Sequence, residues 1–558
     1  MNAARSIRVH LLRGALAATV AATAILGTHA EVRAQEGADY NSVPRVTVLD
    51  PGFFRDRIEQ ARTGIVRIAM FGDSQETAPW GWGEYYIAHL NARLARIYGP
   101  VGESHLFTNH TSIARPYWLA TMQESSARTT SAIAESRVPP SMTTQALLAP
   151  AAAPKGQSAW AATVLLHDAS RVVDPLLAST EWFDQNGPFV ADILTVRRPG
   201  GGGLAWRNAP TDGDVPDAAA AVLQSGSFAG DAKDAVERFE WRTTPELLLG
   251  GRRHLQLLIG GDSAARSSEV VGVRFRSTGA HRGVVLQSFA RGGMRLPNLL
   301  GEHGDSGEML RALAPSIAVL HYGANDVGLL PDLATWRAQL IATIAWIRAE
   351  MQDPAFPIII AAEQRTQASV EIMSLADQLP VVAHELATLD DRILALNLRR
   401  TTFEAYGWGG TIRYLADAAH FKPYGQRLLA EAFVGELTRA LAIPDPACPL
   451  PDWADCVRVW GASCQQGGCR MEPDFEAAEH GIPWQGAGTD CSDGDGDGFS
   501  DECPPGGRED FNQDGFVDAA DLAMLLSAWG TADPLTDLDG DGVVTAADLA
   551  AFLGAWGA

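Results

Sequence analysis

The stretch Ile65-Val66-Arg67-Ile68-Ala69-Met70-Phe71-Gly72-Asp73-Ser74 carries the strongest indication of the fold. A mostly apolar run of strand length ends on a glycine and two polar residues, which is typical of a buried strand that leads into a loop. A second apolar run, residues 317–322, ends in the same way at Gly323-Ala324-Asn325-Asp326. Residues 336–351 then show a helical pattern, and residues 356–361 form another apolar run. This alternation predicts an α/β protein with a parallel sheet.

Ser74 belongs to a set of polar residues that suits nucleophilic catalysis. Asp417 and His420 lie three residues apart, just before a helical pattern that contains Leu428 and Phe433. A serine hydroxyl needs an adjacent base, and the base needs a carboxylate that orients it. We therefore predict that Ser74 is the nucleophile, His420 the base and Asp417 the orienting acid.

An acyl-transfer site also needs fixed donors for the developing oxyanion. The backbone N–H of Ser74, the side-chain amide of Asn325 and a glycine N–H are the candidates. The glycine follows the strand-like residues 284–290; Gly293 is preferred, and Gly292 is the alternative. No HExxH, paired CxxC or P-loop motif is present, so we expect the reaction to need no cofactor.

These motifs resemble those of the SGNH (GDSL-type) esterase and lipase superfamily. The resemblance rests on Gly72-Asp73-Ser74, the glycine at 292–293, Gly323-x-Asn325-Asp326 and Asp417-x-x-His420, and it covers residues 45–120 and 280–443. Gln75 stands where the name-giving motif has Leu. The resemblance implies a three-layer α/β/α, flavodoxin-like hydrolase domain that works through an acyl-serine.

Residues 121–279 separate the two parts of this expected hydrolase domain. They contain short strand-like runs and glycine-rich turns such as Gly200-Gly201-Gly202-Gly203, which favour an inserted β-sandwich. The plan resembles that of two-domain O-acetylesterases, in which a carbohydrate-binding-like domain interrupts the catalytic one. Trp182, Trp206 and Trp241 are candidates for stacking on sugar rings, although a core role is favoured for each.

The N-terminus has the features of an export signal. Arg5, Arg8 and Arg13 precede a short apolar run, and a small-residue exit follows it at Thr28-His29-Ala30 or at Val32-Arg33-Ala34. This pattern predicts a signal peptide, assigned to residues 1–34. No later run is long enough to suggest a membrane span. We therefore expect a secreted or cell-surface protein.

The six cysteines all lie beyond the expected catalytic region. An even number of them in a Gly-, Pro- and Asp-rich stretch favours disulfides, with 15 possible pairings; zinc binding is the weaker alternative. The cysteines are Cys448, Cys456, Cys464, Cys469, Cys491 and Cys503. Residues 444–505 are thus expected to form a cysteine-rich linker.

The chain carries a net charge of −23, and its acidity is concentrated near the C-terminus. Residues 485–558 hold 16 Asp or Glu residues against one Arg. This charge argues against nucleic acid as a partner.

The carboxylates of residues 506–558 recur with a spacing of 27 residues, in two loops that are each followed by a similar helical segment. Oxygen ligands at loop positions 1, 3, 5, 9 and 12, a carbonyl at 7 and Gly at 6 are what a calcium loop requires. The expected ligands are Asp510, Asn512, Asp514, Phe516 (carbonyl), Asp518 and Asp521 in the first loop, and Asp537, Asp539, Asp541, Val543 (carbonyl), Thr545 and Asp548 in the second.

The duplicated loops resemble the type I dockerin, a small all-α calcium module that docks onto cohesin domains. Both repeats have Ala-Ala at positions 10 and 11, where cellulosomal dockerins often have hydroxyl residues, so a cell-surface partner is as well supported as a cohesin. Upstream, a further acidic segment resembles a thrombospondin type 3 calcium repeat; the alternative is an acidic linker. Its expected ligands are Asp493, Asp495, Asp497 and Asp501.

Together these features predict a secreted serine esterase that removes O-acetyl groups from a polysaccharide or peptidoglycan. A lipase or short-chain carboxylesterase is the alternative within the same chemistry. A non-catalytic carbohydrate-binding scaffold and an O-acetyltransferase are the alternatives from other classes.

Overall fold

The computed structural model describes residues 42–73, 84–104, 107–108, 120–123, 128–129, 147–148, 160–166, 188–210, 222–247, 253–259, 269–279, 281–290, 293–301, 306–323, 325–326, 332–362, 376–402, 420–421, 423–446, 448, 460–465, 468–473, 509, 511, 517, 519–533, 535–539, 541–554 and 556. The chain forms two compact units, Met1–Pro451 and Asp452–Ala558. The domain boundaries predicted within them stay predictions, and the predicted signal peptide lies outside the described residues.

A six-stranded sheet forms the centre of the first unit. With strands numbered along the chain, it contains β1 (Val46–Val48), β2 (Ile65–Gly72), β14 (Gly283–Ser288), β15 (Ile317–His321), β16 (Ile358–Ala362) and β17 (Ile393–Asn397). The order across the sheet is β1-β17-β16-β15-β2-β14. All neighbours are parallel except β1, which pairs antiparallel with β17 at the edge. The predicted parallel α/β architecture is therefore confirmed.

The order of the five parallel strands creates a switch point beside β2. The chain first places β14 on one side of β2 and then crosses to the other side for β15, β16 and β17. Counted along the chain, this is the order 2-1-3-4-5, and such sheets bind ligands at the carboxyl ends of the strands next to the switch.

The apolar runs in the sequence correspond to the interior strands. Every residue of β15, β16 and β17 is buried, as are the last five residues of β2. Parallel strands covered on both faces read as nearly continuous apolar segments, which explains why the sequence revealed β2, β15 and β16.

Seven helices of the first unit are described: α1 (Pro51–Glu59), α2 (Glu84–Tyr98), α3 (Leu296–Gly301), α4 (Ser306–Leu313), α5 (Leu333–Glu350), α6 (Leu379–Leu389) and α7 (Pro423–Ala440). Local capping explains two of the starts. The carboxylate of Asp50 accepts the N–H of Phe53 at 3.0 Å, and that of Asp332 accepts the N–H of Thr335 at 2.6 Å. α2 packs against α7 and against β14.

Two antiparallel sheets arise largely from the segment between β2 and β14. Their strands are β3 (Phe107–Thr108), β4 (Ala120–Gln123), β5 (Arg128–Thr129), β6 (Leu147–Leu148), β7 (Trp160–Leu166), β8 (Phe189–Arg197), β9 (Leu204–Pro210), β10 (Gln224–Phe228), β11 (Arg238–Thr243), β12 (Arg253–Ile259) and β13 (Glu269–Ser277). One sheet has the order β10-β9-β12-β7-β4 and the other β11-β8-β13-β6-β5, with β3 also paired to β13. The β-sandwich arrangement of these sheets stays a prediction.

Two of the three tryptophans named as candidates for sugar stacking have packing roles, the alternative that the sequence favoured. Trp206 is only 4% exposed, and a Cβ added to Gly226 on the neighbouring strand would lie 2.8 Å from its ring. The Trp241 indole N–H donates to the carbonyl of Ala312 at 2.8 Å, while the Arg274 guanidinium lies 3.9 Å from its ring centre. Trp182 lies outside the described residues.

The second unit contains a β-hairpin, β18 (Trp460–Gln465) with β19 (Gly468–Pro473), and two helices, α8 (Ala519–Ser527) and α9 (Ala546–Gly554). A small core joins the two repeats and includes Leu525, Val544 and Phe552, with the Phe511 ring stacked on Phe552 at 5.8 Å. Pairing of the repeats therefore buries Leu525 of α8 and Phe552 of α9. No free cysteine occurs among the described residues, and the predicted disulfides stay a prediction.

None of the helices in the described part of the chain combines the length and apolarity that crossing a membrane requires.

Candidate active site at the carboxyl edge of the parallel sheet

Three of the predicted catalytic segments begin where adjacent strands end. β15, β2 and β14 are neighbours, His321 pairs with Gly72, and Ser288 pairs with Met70. The residues that follow these strands therefore emerge at one edge of the sheet, beside the switch point. This edge is where an open α/β sheet offers its binding crevice.

At this edge, a hydrogen bond joins the Gly72-Asp73-Ser74 motif to the motif at residues 323–326. The Asn325 side-chain amide donates to Asp73 Oδ2 at 2.9 Å, although the two residues are 252 positions apart in the chain. Asp73 is fully buried and Asn325 is half-buried. The amide of Asn325 is thus held beside the residue that directly precedes Ser74.

Asp326 connects the motif at residues 323–326 to the segment that contains Gly293. Its Oδ1 accepts the N–H of Leu296 at 3.2 Å, at the first residue of α3. Gly293, three residues earlier, has a φ of +78°, a left-handed conformation that favours glycine. The preferred glycine donor and the Asn325 segment are therefore linked through one buried carboxyl group.

Burial raises the pKa of Asp326 to about 7, and the nearby charge of Asp73 acts in the same direction. The Leu296 N–H and the charge of Arg295 oppose this rise. Asp326 Oδ2 is buried and has no hydrogen-bond partner among the described residues. A protonated carboxyl group suits this environment, because burial disfavours the ion more than the Leu296 N–H and Arg295 favour it.

The Asp326→Asn variant is expected to lose the pH dependence that Asp326 contributes to the free energy of unfolding. In the unfolded chain the pKa of Asp is about 3.9, below the folded value, so the stability from the protonated group is complete below about pH 4. It is lost as the pH rises toward 7, by about 1.4 kcal/mol for each pH unit. Urea unfolding of both proteins from pH 4 to pH 8 should show the variant gaining in relative stability. A difference that does not change with pH would contradict the assignment.

His420 lies just before α7 and is half-buried. Its neighbour Phe421 is held by Gln426, whose side-chain amide donates to the Phe421 carbonyl at 2.9 Å. The other end of the Gln426 side chain accepts the N–H of Tyr86 at 3.1 Å. The His420 segment is thereby connected to α2, the helix that follows Ser74.

Ser74, Asp417 and Gly292 lie outside the described residues. The Ser74–His420–Asp417 geometry therefore stays a prediction, and so does the choice between Gly292 and Gly293. Among the described residues, the structure brings Asp73, Asn325 and Asp326 together at the sheet edge. Sequence reasoning assigned no role to Asp73, Asp326 or Gln426; the first two stand inside the quoted motifs, whereas Gln426 gave no signal.

The second acidic loop of the C-terminal unit has the geometry of a cation site. Carboxylate oxygens of Asp537, Asp539 and Asp541 lie within 4.8 Å of one another. Two oxygens bound to one calcium ion are at most about 5 Å apart, so these three groups fit one ion. Gly542, at loop position 6, has a φ of +92° and donates its N–H to Asp537 Oδ2 at 2.8 Å.

Asp548, at loop position 12, organises the same loop from its far end. Its fully buried carboxylate accepts backbone N–H groups from Thr545 at 2.6 Å, Leu538 at 2.7 Å and Asp539 at 3.1 Å. The N–H of Thr545, followed by that of Asp539, lowers the pKa of this carboxyl group. The loop thus keeps the Asp548 carboxylate ionised and next to the acidic cluster.

Most of the ligands predicted for the first loop and for the upstream segment lie outside the described residues. Asp521, the counterpart of Asp548 in the first loop, is described and fully buried. The others lie outside the described residues: Asp510, Asn512, Asp514, Phe516 and Asp518 of the first loop, and Asp493, Asp495, Asp497 and Asp501 upstream.

Comparison with known proteins gives a family match for the tail. Residues 508–552 match the dockerin type I domain family. No curated protein matches the chain.

Solved structures similar to the chain include several esterases. A peptidoglycan O-acetylesterase is 13% identical, covers 72% of this chain and 99% of its own, and has a TM-score of 0.46. A family two carbohydrate esterase from Clostridium thermocellum, solved with cellohexaose, is 12% identical, covers 46% of this chain and 92% of its own, and has a TM-score of 0.23. An acetyl-xylooligosaccharide esterase from Geobacillus Stearmophilus is 17% identical, covers 29% and 73%, and has a TM-score of 0.23.

Proposed function

We propose that the protein is a secreted serine esterase of the SGNH type that removes O-acetyl groups from a polysaccharide or peptidoglycan. One observation supports this proposal above all: the Asn325 amide is bound to Asp73 at the carboxyl edge of the sheet. That contact holds an amide donor beside the expected nucleophile, at the switch point of the strand order. The acetyl preference comes from the family resemblance of the motifs.

In the proposed reaction, Ser74 Oγ attacks the ester carbonyl and His420 takes the hydroxyl proton. The N–H groups of Ser74 and Gly293 and the Asn325 amide stabilise the oxyanion, while Asp417 orients the imidazole. Collapse of this intermediate expels the sugar oxygen, which receives the proton from His420. Water then attacks the acetyl-serine with His420 again acting as base, which releases acetate and restores Ser74.

The proposed domain plan follows the strand order. Residues 45–120 and 280–443 would form the three-layer, flavodoxin-like hydrolase domain, because β2 and β14–β17 have the order 2-1-3-4-5. The antiparallel sheets of residues 121–279 would form the inserted β-sandwich that positions the polymer. Residues 444–505 would form the disulfide- and calcium-containing linker.

Product analysis tests the proposed activity. Purified protein should release acetate from acetylated xylan or from O-acetylated peptidoglycan, and the Ser74→Ala variant should not. Turnover confined to p-nitrophenyl or lipid esters would favour the carboxylesterase or lipase alternative. Labelled sugar formed from a labelled acetyl donor would identify a transferase, and absence of all turnover would leave the carbohydrate-binding scaffold.

Calcium is the proposed ion of the dockerin-like tail, where it would have a structural role. Asp537, Asp539, Asp541 and Asp548 would bind it in the second loop, together with Thr545 and the carbonyl of Val543. The ion would offset the repulsion among carboxylates that lie within 4.8 Å of one another.

The Asp539→Ala variant is expected to bind one calcium ion fewer than the wild-type chain. Asp539 contributes one carboxylate of the cluster, and the shared ion would lose a charged ligand. Isothermal titration of the calcium-free full-length protein measures the stoichiometry. Asp533→Ala is the matched control, because Asp533 is an acidic residue of the same segment outside the cluster. Equal stoichiometry in Asp539→Ala and the wild type would contradict the assignment.

The tail would attach the enzyme to a cohesin-like protein or to another cell-surface partner. Trp529 and Trp556 occupy equivalent positions in the two repeats, and each is 45% exposed. Leu526 and Leu553 form a second equivalent, exposed pair. If the double variant Trp529→Ser with Trp556→Ser binds immobilised cohesin or cell envelopes as well as the wild type does, these exposed side chains are excluded as the attachment surface.

Export itself predicts a mature N-terminus near residue 35, which N-terminal sequencing can test.

A further inference from the structure

Gln426 makes an unusual pair of contacts for a residue outside the predicted triad. It lies in the first turn of α7 and is only 1% exposed. Its Oε1 accepts the N–H of Tyr86 at 3.1 Å, and its Nε2 donates to the carbonyl of Phe421 at 2.9 Å. Both ends of one buried amide therefore bind backbone groups.

The contact with Tyr86 gives an acceptor to a backbone N–H group in the first turn of α2. Tyr86 is the third residue of α2, and the first four N–H groups of an α-helix have no acceptor within the helix. Such groups are commonly capped by a nearby side chain, but here the acceptor comes from 340 residues away in the chain. Gln426 thus fixes the beginning of the helix that follows the Ser74 segment.

The contact with Phe421 fixes the backbone beside His420. Phe421 is buried and directly follows His420, and its carbonyl belongs to the next peptide group, between residues 421 and 422. Because the same amide holds both Phe421 and Tyr86, the His420 backbone and the start of α2 keep a set separation. The packing of α2 against α7 and the ion pair between Arg93 of α2 and Glu431 of α7 bring these helices together. The two hydrogen bonds of Gln426 link the start of α2 to the backbone next to His420.

We propose that Gln426 is a positioning residue that sets the His420 backbone relative to the helix that follows the nucleophile. This inference rests on the proposed function, because it assigns Gln426 a role in aligning His420 with Ser74. A displacement of about 1 Å between reacting groups can lower a rate about 100-fold, even when substrate binding is unchanged. Loss of the bridge should therefore appear in kcat and not in KM.

Two substitutions at Gln426 separate the contribution of its hydrogen bond to Tyr86 from that of its hydrogen bond to Phe421. Gln426→Leu removes both hydrogen bonds at similar volume. Gln426→Glu keeps an acceptor for the Tyr86 N–H, but when ionised it places a carboxylate against the Phe421 carbonyl. As the pH falls and the introduced carboxyl group takes up a proton, it regains a donor for that carbonyl.

We expect Gln426→Leu to lower kcat for acetate release by about 10- to 100-fold with KM changed less than about 3-fold. The kcat of Gln426→Glu, divided by that of the wild type, should rise as the pH falls, because protonation of the introduced carboxyl group restores a donor for the Phe421 carbonyl. The ratio is used because it cancels the titration that both proteins share. Labelling of Ser74 by a fluorophosphonate should slow in parallel with kcat. Amide hydrogen exchange should quicken at the start of α2.

Thr438→Val is the matched control. It also removes a buried hydrogen bond from α7, between the Thr438 hydroxyl and the carbonyl of Val434 at 2.9 Å. It lies about three turns further along the helix from Gln426. This variant should keep the wild-type kcat even if its melting temperature falls.

The outcomes distinguish the inference from the proposed function. If Ser74→Ala is inactive while Gln426→Leu keeps kcat within about 2-fold of the wild type, the positioning role is wrong and the esterase proposal stands. If Thr438→Val loses kcat as much as Gln426→Leu, the effect is general destabilisation, and the positioning role is again wrong. If the wild type neither turns over esters nor reacts at Ser74, the proposed function fails and this inference fails with it.

Discussion

The His420→Ala variant is expected to release acetate about 10,000-fold more slowly than the wild type, or slower still. The hydroxyl of Ser74 is a weak nucleophile at neutral pH, and His420 is the base expected to accept its proton and return it to the leaving sugar oxygen. Steady-state kcat on the best acetylated polymer is the measurement. Fluorophosphonate labelling of Ser74 should fall with it, since both reactions need the same activated hydroxyl.

His281→Ala is the control for this experiment. His281 is exposed and precedes β14, so it lies at the amino end of that strand, whereas the candidate site lies at the carboxyl ends. The control should retain wild-type activity. A His420→Ala variant that kept more than about a tenth of the wild-type kcat would exclude His420 as the base, because removal of a triad base costs far more than that.

The central part of the fold could be predicted because its strands are buried on both faces. β2, β15 and β16 appear in the sequence as apolar runs within a few residues of their observed bounds. β9 and β10 could not be recognised in this way. β10 consists of Gln224-Ser-Gly-Ser-Phe228, an edge strand with no buried residue, and its pairing depends on a neighbour instead of on an apolar pattern of its own.

The candidate site could be predicted only as a set of motifs. The chemistry of nucleophile, base and oxyanion donor selects residue types, and Asn325 was found in this way. The contacts that hold such residues link distant parts of the chain: Asp73 binds Asn325 across 252 positions, and Gln426 binds Tyr86 across 340. A single sequence carries no pattern that reveals such pairs, because they are created when the strands order themselves around β2.

The Asn325→Ala variant is expected to lower kcat about 100- to 1,000-fold, the usual effect of losing one oxyanion donor. The Asn325 amide has two N–H donors; one is bound by Asp73 Oδ2 at 2.9 Å, which fixes the plane of the amide. The second is the donor assigned to the oxyanion. Because negative charge on that oxygen develops only in the transition state, kcat should fall while KM stays nearly unchanged.

A loss of stability must be separated from this loss of catalysis. Removing the amide takes a hydrogen bond from the buried Asp73 carboxylate, which costs about 1–3 kcal/mol of unfolding free energy. Asn208→Ala is the matched control, because Asn208 is also buried and donates its amide to Gln224 at 3.2 Å, in an antiparallel sheet that contributes none of the predicted triad or oxyanion residues. Both variants should melt earlier, but only Asn325→Ala should lose kcat at a temperature where each is fully folded. Equal kcat in the two variants would mean that Asn325 supports the fold around Asp73 without contributing to the oxyanion site.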